Sequence, residues 1–167
     1  MFQINSYLCL YKAKIYSFPM HDSSKLLAHR FSNNNQFYSV TICCINRAPL
    51  FKEFGNACIA AKAIVDMQNK VNTICYVLMP DHLHWLFQLK DCSLANVIKI
   101  FKSVTTVKIN KLNETTGKIW QQNYFEHQLR SEKDLINQAR YIVANPLRTG
   151  IVKSVGQYPF WDCIYLN

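Results

Sequence analysis

The apolar positions change period several times along the chain, and each change marks an element. "FYSVTICCI" (37–45) is rich in β-branched and aromatic residues and predicts a strand. "NACIAAKAIVDMQNK" (56–70) has the composition and apolar spacing of a helix. "TICYVLM" (73–79) is short and continuously apolar, the pattern of a central strand covered on both faces. Pro80 and Asp81 interrupt it, and "HLHWLFQLK" (82–90) predicts a second strand antiparallel to the first. A long helix is predicted over 93–113, with Ser93 as N-cap and Leu94, Val97, Ile98, Phe101 and Val104 as its apolar stripe. "KIWQQNYFEHQLR" (118–130) reads as a strand. Residues 131–145 read as a helix capped by Ser131, with Asp134 in its first turn. The aromatic tail "YPFWDCIYL" is expected to pack back on the domain.

The order β-α-β-β-α-β-α predicts an α+β fold: a ferredoxin-like antiparallel sheet with an added C-terminal helix. Residues 1–30 are weakly patterned and read as an N-terminal arm or extension, with one domain over 31–167. No apolar run is long enough to span a membrane, and "MFQINSYLCLYKAKIYSF" has no signal-peptide core, so a cytoplasmic, nucleoid-associated protein is expected. Seven cysteines without a C-x-x-C pair read as reduced and structural. The charge adds a partner: 19 Lys and Arg against 10 Asp and Glu leave +9, which suits a polyanion binder better than a metabolic enzyme.

Candidate chemistry starts with two histidines inside an apolar strand. Side chains alternate along a strand, so Leu83, Trp85, Phe87 and Leu89 share the core face while His82 and His84 share the other with Leu86 and Gln88. Two imidazoles one pleat apart can reach a single cation; they can equally satisfy each other or the backbone. The last helix adds a second feature. Leu135, Ala139, Ile142 and Val143 form its buried stripe, and Tyr141 lies off it, stacked with Asn137 and Asn145 on a polar face. A tyrosine there is most often a partly packed phenol. Here an amide one turn away could complete a metal site with the histidines. Mg²⁺ or Mn²⁺ accepts such mixed ligands and could polarise a phosphodiester. Tyr141 would then be the nucleophile, conserving the bond energy in a phosphotyrosine linkage.

These segments carry a family resemblance over roughly residues 30 to 165. "YVLMPDHLHWLF" resembles the histidine-hydrophobe-histidine (HUH) motif of single-tyrosine, IS200-like transposases, and "YIVANPLRTGIV" resembles their tyrosine helix. "NRAPLF", "IWQQNYFEHQLRSEKD" and "YPFWD" are similar to the branch called REP-associated tyrosine transposases. The resemblance implies an HUH nuclease fold acting on single-stranded DNA at hairpin-forming repeats. It implies metal-dependent cleavage that leaves a 5′-phosphotyrosine and a free 3′-hydroxyl, and the reverse joining. Carried over, His82 and His84 are metal ligands, Tyr141 is the nucleophile, and Asn145 takes the third ligand position, where some relatives have Gln. The family includes monomers and homodimers.

Other residues have narrower readings. Candidate DNA contacts are Arg47 and Arg148 near the loops around the site, Lys99 and Lys102 as an i, i+3 pair on the long helix, and His127 on a strand that could border the site. His127 could equally be a structural histidine. Glu126 faces away from His127 on a regular strand and is not read as a base. Asp81 reads as a turn former. Tyr158, Phe160 and Trp161 could stack on bases but are expected to pack. Two competing functions stay open: a domesticated module that binds repeat hairpins without strand transfer, and a zinc hydrolase or redox protein, which the absence of H-E-x-x-H and C-x-x-C disfavours.

Overall fold

The computed structural model describes residues 35–166; the expected arm over 1–30 lies outside them, as does Cys9. Strand β1 (Phe37–Cys43) leads through two short 3-10 turns into helix α1 (Phe54–Asp66). β2 (Val71–Met79) and β3 (His82–Leu89) form a hairpin, followed by α2 (Leu94–Asn113) and β4 (Phe125–Leu129). Then come α3 (Glu132–Val143), the short α4 (Asn145–Arg148) and β5 (Trp161–Cys163). The strands make one antiparallel sheet in the order β4-β1-β3-β2-β5. The β-α-β-β-α-β part is ferredoxin-like, as the pattern predicts, and α3 is the added helix.

Alternation along β3 explains the layering. Leu83, Trp85, Phe87 and Leu89 are fully buried and pack with Ala57, Ala60 and Ile64 of α1 and Val97, Ile98 and Phe101 of α2. Burying a side chain such as Phe87 or Phe101 contributes about 2–3 kcal/mol. Leu86 points the other way, into a second cluster with Cys75, Val77 and Met79 of β2 and Leu135, Ala139, Ile142 and Val143 of α3. The sheet therefore has α1 and α2 on one face and α3 on the other. Two buried indoles of the core are paired: Trp85 Nε1 donates to Thr73 Oγ1 at 3.1 Å and Trp120 Nε1 to Thr105 Oγ1 at 2.8 Å. Both predicted caps form, with Asn96 N donating to Ser93 Oγ and Asp134 N to Ser131 Oγ.

Three boundaries differ from the sequence reading. Of the strand expected over 118–130, only Phe125–Leu129 pairs with β1; Trp120 makes an isolated bridge to Cys44. Between them the chain bends around Lys102, whose Nζ donates to the carbonyls of Gln121, Gln122 and Asn123 at 2.8–3.2 Å. α1 stops at Asp66 because turns at Met67 and Lys70 bring the chain back into β2. The C-terminal tail packs back as expected, but it also adds a fifth strand. Cys163 pairs with Cys75, Phe160 O accepts from Leu78 N at 2.9 Å, and the Tyr158 hydroxyl donates to Leu78 O at 2.6 Å. A three-residue edge strand carries too little alternation to be read from sequence. The six cysteines among the described residues are free thiols.

Candidate active site

The β2–β3 hairpin sets the first two side chains. Met79 pairs with His82, so Pro80 and Asp81 form a two-residue turn and His82 opens β3. His84 follows one pleat later on the same face, opposite Thr41 of β1 and Val77 of β2. The two Nε2 atoms face each other at 3.1 Å. Each imidazole is held through its other nitrogen. His82 Nδ1 lies 2.6 Å from Asp81 Oδ1, and His84 Nδ1 is hydrogen-bonded to Thr41 Oγ1 at 2.9 Å. A carboxylate only accepts, so Asp81 fixes the proton of His82 on Nδ1 and leaves the Nε2 lone pair facing His84. The Thr41 hydroxyl can donate or accept, so it suits either His84 tautomer.

Asp81 is itself held. Arg47 Nε lies 3.1 Å from Asp81 Oδ2, while Arg47 Nη1 donates to Cys43 Sγ at 3.0 Å. The loop that delivers Arg47 is strained: Asn46 and Arg47 have φ of 52° and 55°, in the left-handed region that non-glycine residues rarely occupy. Burial is the largest influence on both imidazoles. It pushes His82 below the ordinary histidine range against the opposing pull of Asp81. It pushes His84 down to about 3, aided by the neighbouring His82 and by Arg47. Both rings are neutral near pH 7, the form that ligates a metal.

The tyrosine arrives from the opposite side of this face. The stripe on α3 buries Leu135, Ala139, Ile142 and Val143, and Gln138 Nε2 donates to Ser39 Oγ of β1 at 2.9 Å. That seats Tyr141 half-buried, with its ring 6.5 Å from that of His84 and nearly perpendicular to it. The Arg148 guanidinium lies over the Tyr141 ring, with Cζ 4.5 Å from the centroid, a cation–π contact. Asn145 starts α4, one turn beyond Tyr141, and Pro146 sits in the first turn where its missing N–H costs nothing. Asn145 is buried, and its amide nitrogen donates to the Tyr141 and Ile142 carbonyls at 3.0 and 3.3 Å. The amide thus closes the end of α3 and leaves Oδ1 as the atom it could offer a cation. The donor set of two imidazoles and an amide contains no thiolate and suits a divalent cation of hard to borderline character; among the described residues no cluster of three His, Cys, Asp or Glu is present.

The structure brings His82, His84 and Tyr141 together. It also gives Arg47 and Arg148 specific partners inside the site. His127 is exposed on β4, on the histidine face, because it pairs with Ser39. Glu126 pairs with Val40 and faces the α1/α2 side, as the alternation predicts. Lys99 and Lys102 do not join the cluster: α2 lies on the other face, where Lys99 is exposed and Lys102 braces the 121–123 carbonyls. Sequence reasoning missed Thr41 altogether and saw Asp81 only as a turn former. The adjacency of Asp81 to His82 was the available signal for one; nothing local marks the other.

The family described as "Transposase IS200 like" matches residues 32–145. A Haemophilus influenzae protein assigned provisionally to the REP-associated tyrosine transposases is 34% identical over 99 residues, 53% of this chain and 56% of that protein. A REP-associated tyrosine transposase of Escherichia coli is 31% identical over 87 residues, 51% of this chain and 50% of that one. The matched stretch thus spans about half the length of these two relatives. A solved REP-associated tyrosine transposase bound to a REP hairpin superposes with a TM-score of 0.67 at 23% identity, covering 80% of this chain and 79% of that one. At that identity the likeness speaks for the fold. Among the described residues, no helix is long and apolar enough to cross a membrane.

Proposed function

The chain belongs to the IS200-like transposase family, and on that premise we propose that it cleaves and rejoins single-stranded DNA at hairpin-forming repeats, with Tyr141 as nucleophile. The observation that carries the reading is the facing pair of Nε2 atoms, 3.1 Å apart, beside the half-buried phenol. Adjacent ligands of an octahedral ion with bonds of about 2.1 Å stand about 3 Å apart, so the pair fits one edge of a Mg²⁺ or Mn²⁺ shell. His82 and His84 would hold the ion through Nε2, and Asn145 through Oδ1. When bound, it supplies positive charge next to the scissile phosphate.

The remaining steps belong to the chain. Arg148 holds the Tyr141 ring in place and adds a cation where a phosphate must sit. Tyr141 Oη attacks phosphorus, its proton leaves, and the bond from phosphorus to the 3′-oxygen breaks. That oxygen takes a proton and departs as a free 3′-hydroxyl, while the 5′-phosphate stays on the tyrosine. Attack by a 3′-hydroxyl reverses the sequence without an external energy source. Asp81 and Thr41 keep the imidazoles aimed while this occurs.

The test is a denaturing gel with end-labelled hairpin oligonucleotides and Mg²⁺ or Mn²⁺. A covalent adduct is expected with the wild-type protein and not with Tyr141→Phe, and EDTA should suppress it. His82→Ala or His84→Ala should weaken metal dependence and activity together. Shifted complexes on a native gel without an adduct under either metal would instead favour a domesticated hairpin-binding module.

A further inference from the structure

Among the described residues, one aromatic side chain on the histidine face has no ring partner. Phe125 of β4 is 45% exposed, yet it sits on a regular strand directly opposite Thr41, which in turn stands opposite His84. Directly paired residues of an antiparallel sheet share a face. Phe125 therefore lies in the same cross-strand row as the His84 imidazole, two strand spacings away, or about 10 Å. Exposure on this face of β4 follows the cover given by α3: Leu129 is 4% exposed beneath the helix, while His127 and Phe125 emerge beyond it. Phe125 stacks on no other ring among the described residues. Phe54, which is more exposed still, does have a ring partner in Phe160 at 5.6 Å.

We propose that Phe125 is a stacking platform for an unpaired nucleobase next to the cleaved phosphate, with His127 and Arg130 as polar contacts for the neighbouring nucleotide. The proposal rests on the reading of Tyr141 and the histidines as a single-strand nuclease. Every nucleobase has a π-face, so an exposed ring beside a phosphate site is a sequence-tolerant subsite for single-stranded nucleic acid. His127 and Arg130 line a shallow polar pocket with Gln128 and Asp134 at the same edge of the sheet. A chain with net charge +9 attracts a polyanion, and Arg47 and Arg148 place two of its cations at the histidines and the tyrosine. α3 packs on one half of the face, with Thr41 and His84 half-buried at its border and Phe125 exposed beyond them.

The experiment compares full-length wild type, Phe125→Ala and Phe125→Trp for binding two probes by fluorescence anisotropy. One probe is a thymidine homopolymer; the other is the matching abasic strand, which keeps the phosphates and lacks the bases. Phe125→Ala should weaken homopolymer binding about ten-fold and leave abasic binding unchanged. Phe125→Trp should retain affinity, and the fluorescence of the new indole should be quenched by the homopolymer and not by the abasic strand. Equal loss on both probes, or no loss on either, overturns the subsite while leaving the nuclease reading intact. A change in oligomeric state on gel filtration of Phe125→Ala also overturns it, since the ring would then belong to a contact between copies. No binding of either probe by wild type also overturns the subsite, and the nuclease reading is then decided separately by adduct formation on hairpin oligonucleotides.

Discussion

The two faces of the sheet share the same strands and differ in what they leave unfinished. Toward α1 and α2, β3 presents Leu83, Trp85, Phe87 and Leu89, all fully buried. Toward α3 the same strand presents His82 and His84 beside Leu86, and the covering helix brings Gln138 and Tyr141, with Asn145 just past its end, instead of a continuous apolar wall. The first face is built for packing density, where each ring meets another, as Trp85 meets Phe87 at 4.5 Å and Phe101 at 5.5 Å. The second places buried nitrogens at short range and restrains each from behind. One face is built for stability, and on the proposed reading the other is built for chemistry; that division can be broken experimentally.

The largest effect is expected from Tyr141→Phe. It removes one hydroxyl from a half-buried ring and leaves its packing against the second cluster. Adduct formation should vanish, while hairpin affinity stays within a few-fold and urea stability changes by about 0.5 kcal/mol or less. Retained cleavage would take Tyr141 out of the mechanism. Next comes Trp85→Ala on the opposite face. It opens a cavity and strands the Thr73 hydroxyl, so urea denaturation should give a loss of about 3–5 kcal/mol. If His84→Ala cost as much stability as Trp85→Ala, the division between the faces would collapse.

A smaller effect is expected from Asp81→Asn. The side chain keeps its size, but an amide in place of the carboxylate weakens the bond that fixes the His82 tautomer and the pairing with Arg47. Metal affinity measured by Mn²⁺ titration of the free protein should fall about 10- to 100-fold, the usual range for a partner behind a ligating histidine. Arg47→Ala should move it in the same direction by less, because the guanidinium acts one step further back. Unchanged affinity in both variants would reduce Asp81 to the turn former that its position suggests.

How much of this was legible in the sequence follows from the range of the interactions. The two faces of β3 could be read because alternation is local, and the caps Ser93 and Ser131 because each bonds three residues ahead. His82, His84 and Tyr141 stood out as polar groups in otherwise apolar or helical patterns. Thr41 was invisible because its partner is 43 residues away. Arg47 was seen as a cation near a loop, but its partner Asp81 depends on strained backbone at Asn46 that no composition signals. β4 was drawn too long because Lys102, a residue of another element, shapes the approach to it.

The smallest effect is the most specific to the histidine face. His84 in the folded chain is held down to about 3, whereas the unfolded chain titrates near 6.5. Between those values the unfolded state binds the proton and the folded state does not, so stability rises with pH across the window. The contribution is fully present above about 6.5 and is lost progressively as the pH falls toward 3; His82, also depressed, acts in the same direction. From pH 7 to pH 6 the loss from one such ring is under about 1 kcal/mol, and it steepens below that. Urea denaturation from pH 7.5 to pH 5 should trace this slope, and His84→Gln should flatten it even though the variant is less stable throughout. Saturating Mn²⁺ should raise stability across the range while leaving the His84 part of the slope unchanged, because that ring is already proton-free in the folded state. If Mn²⁺ added as much stability to His84→Gln as to wild type, the cation would lie away from these two imidazoles, which would return to the role of a mutually satisfied buried pair.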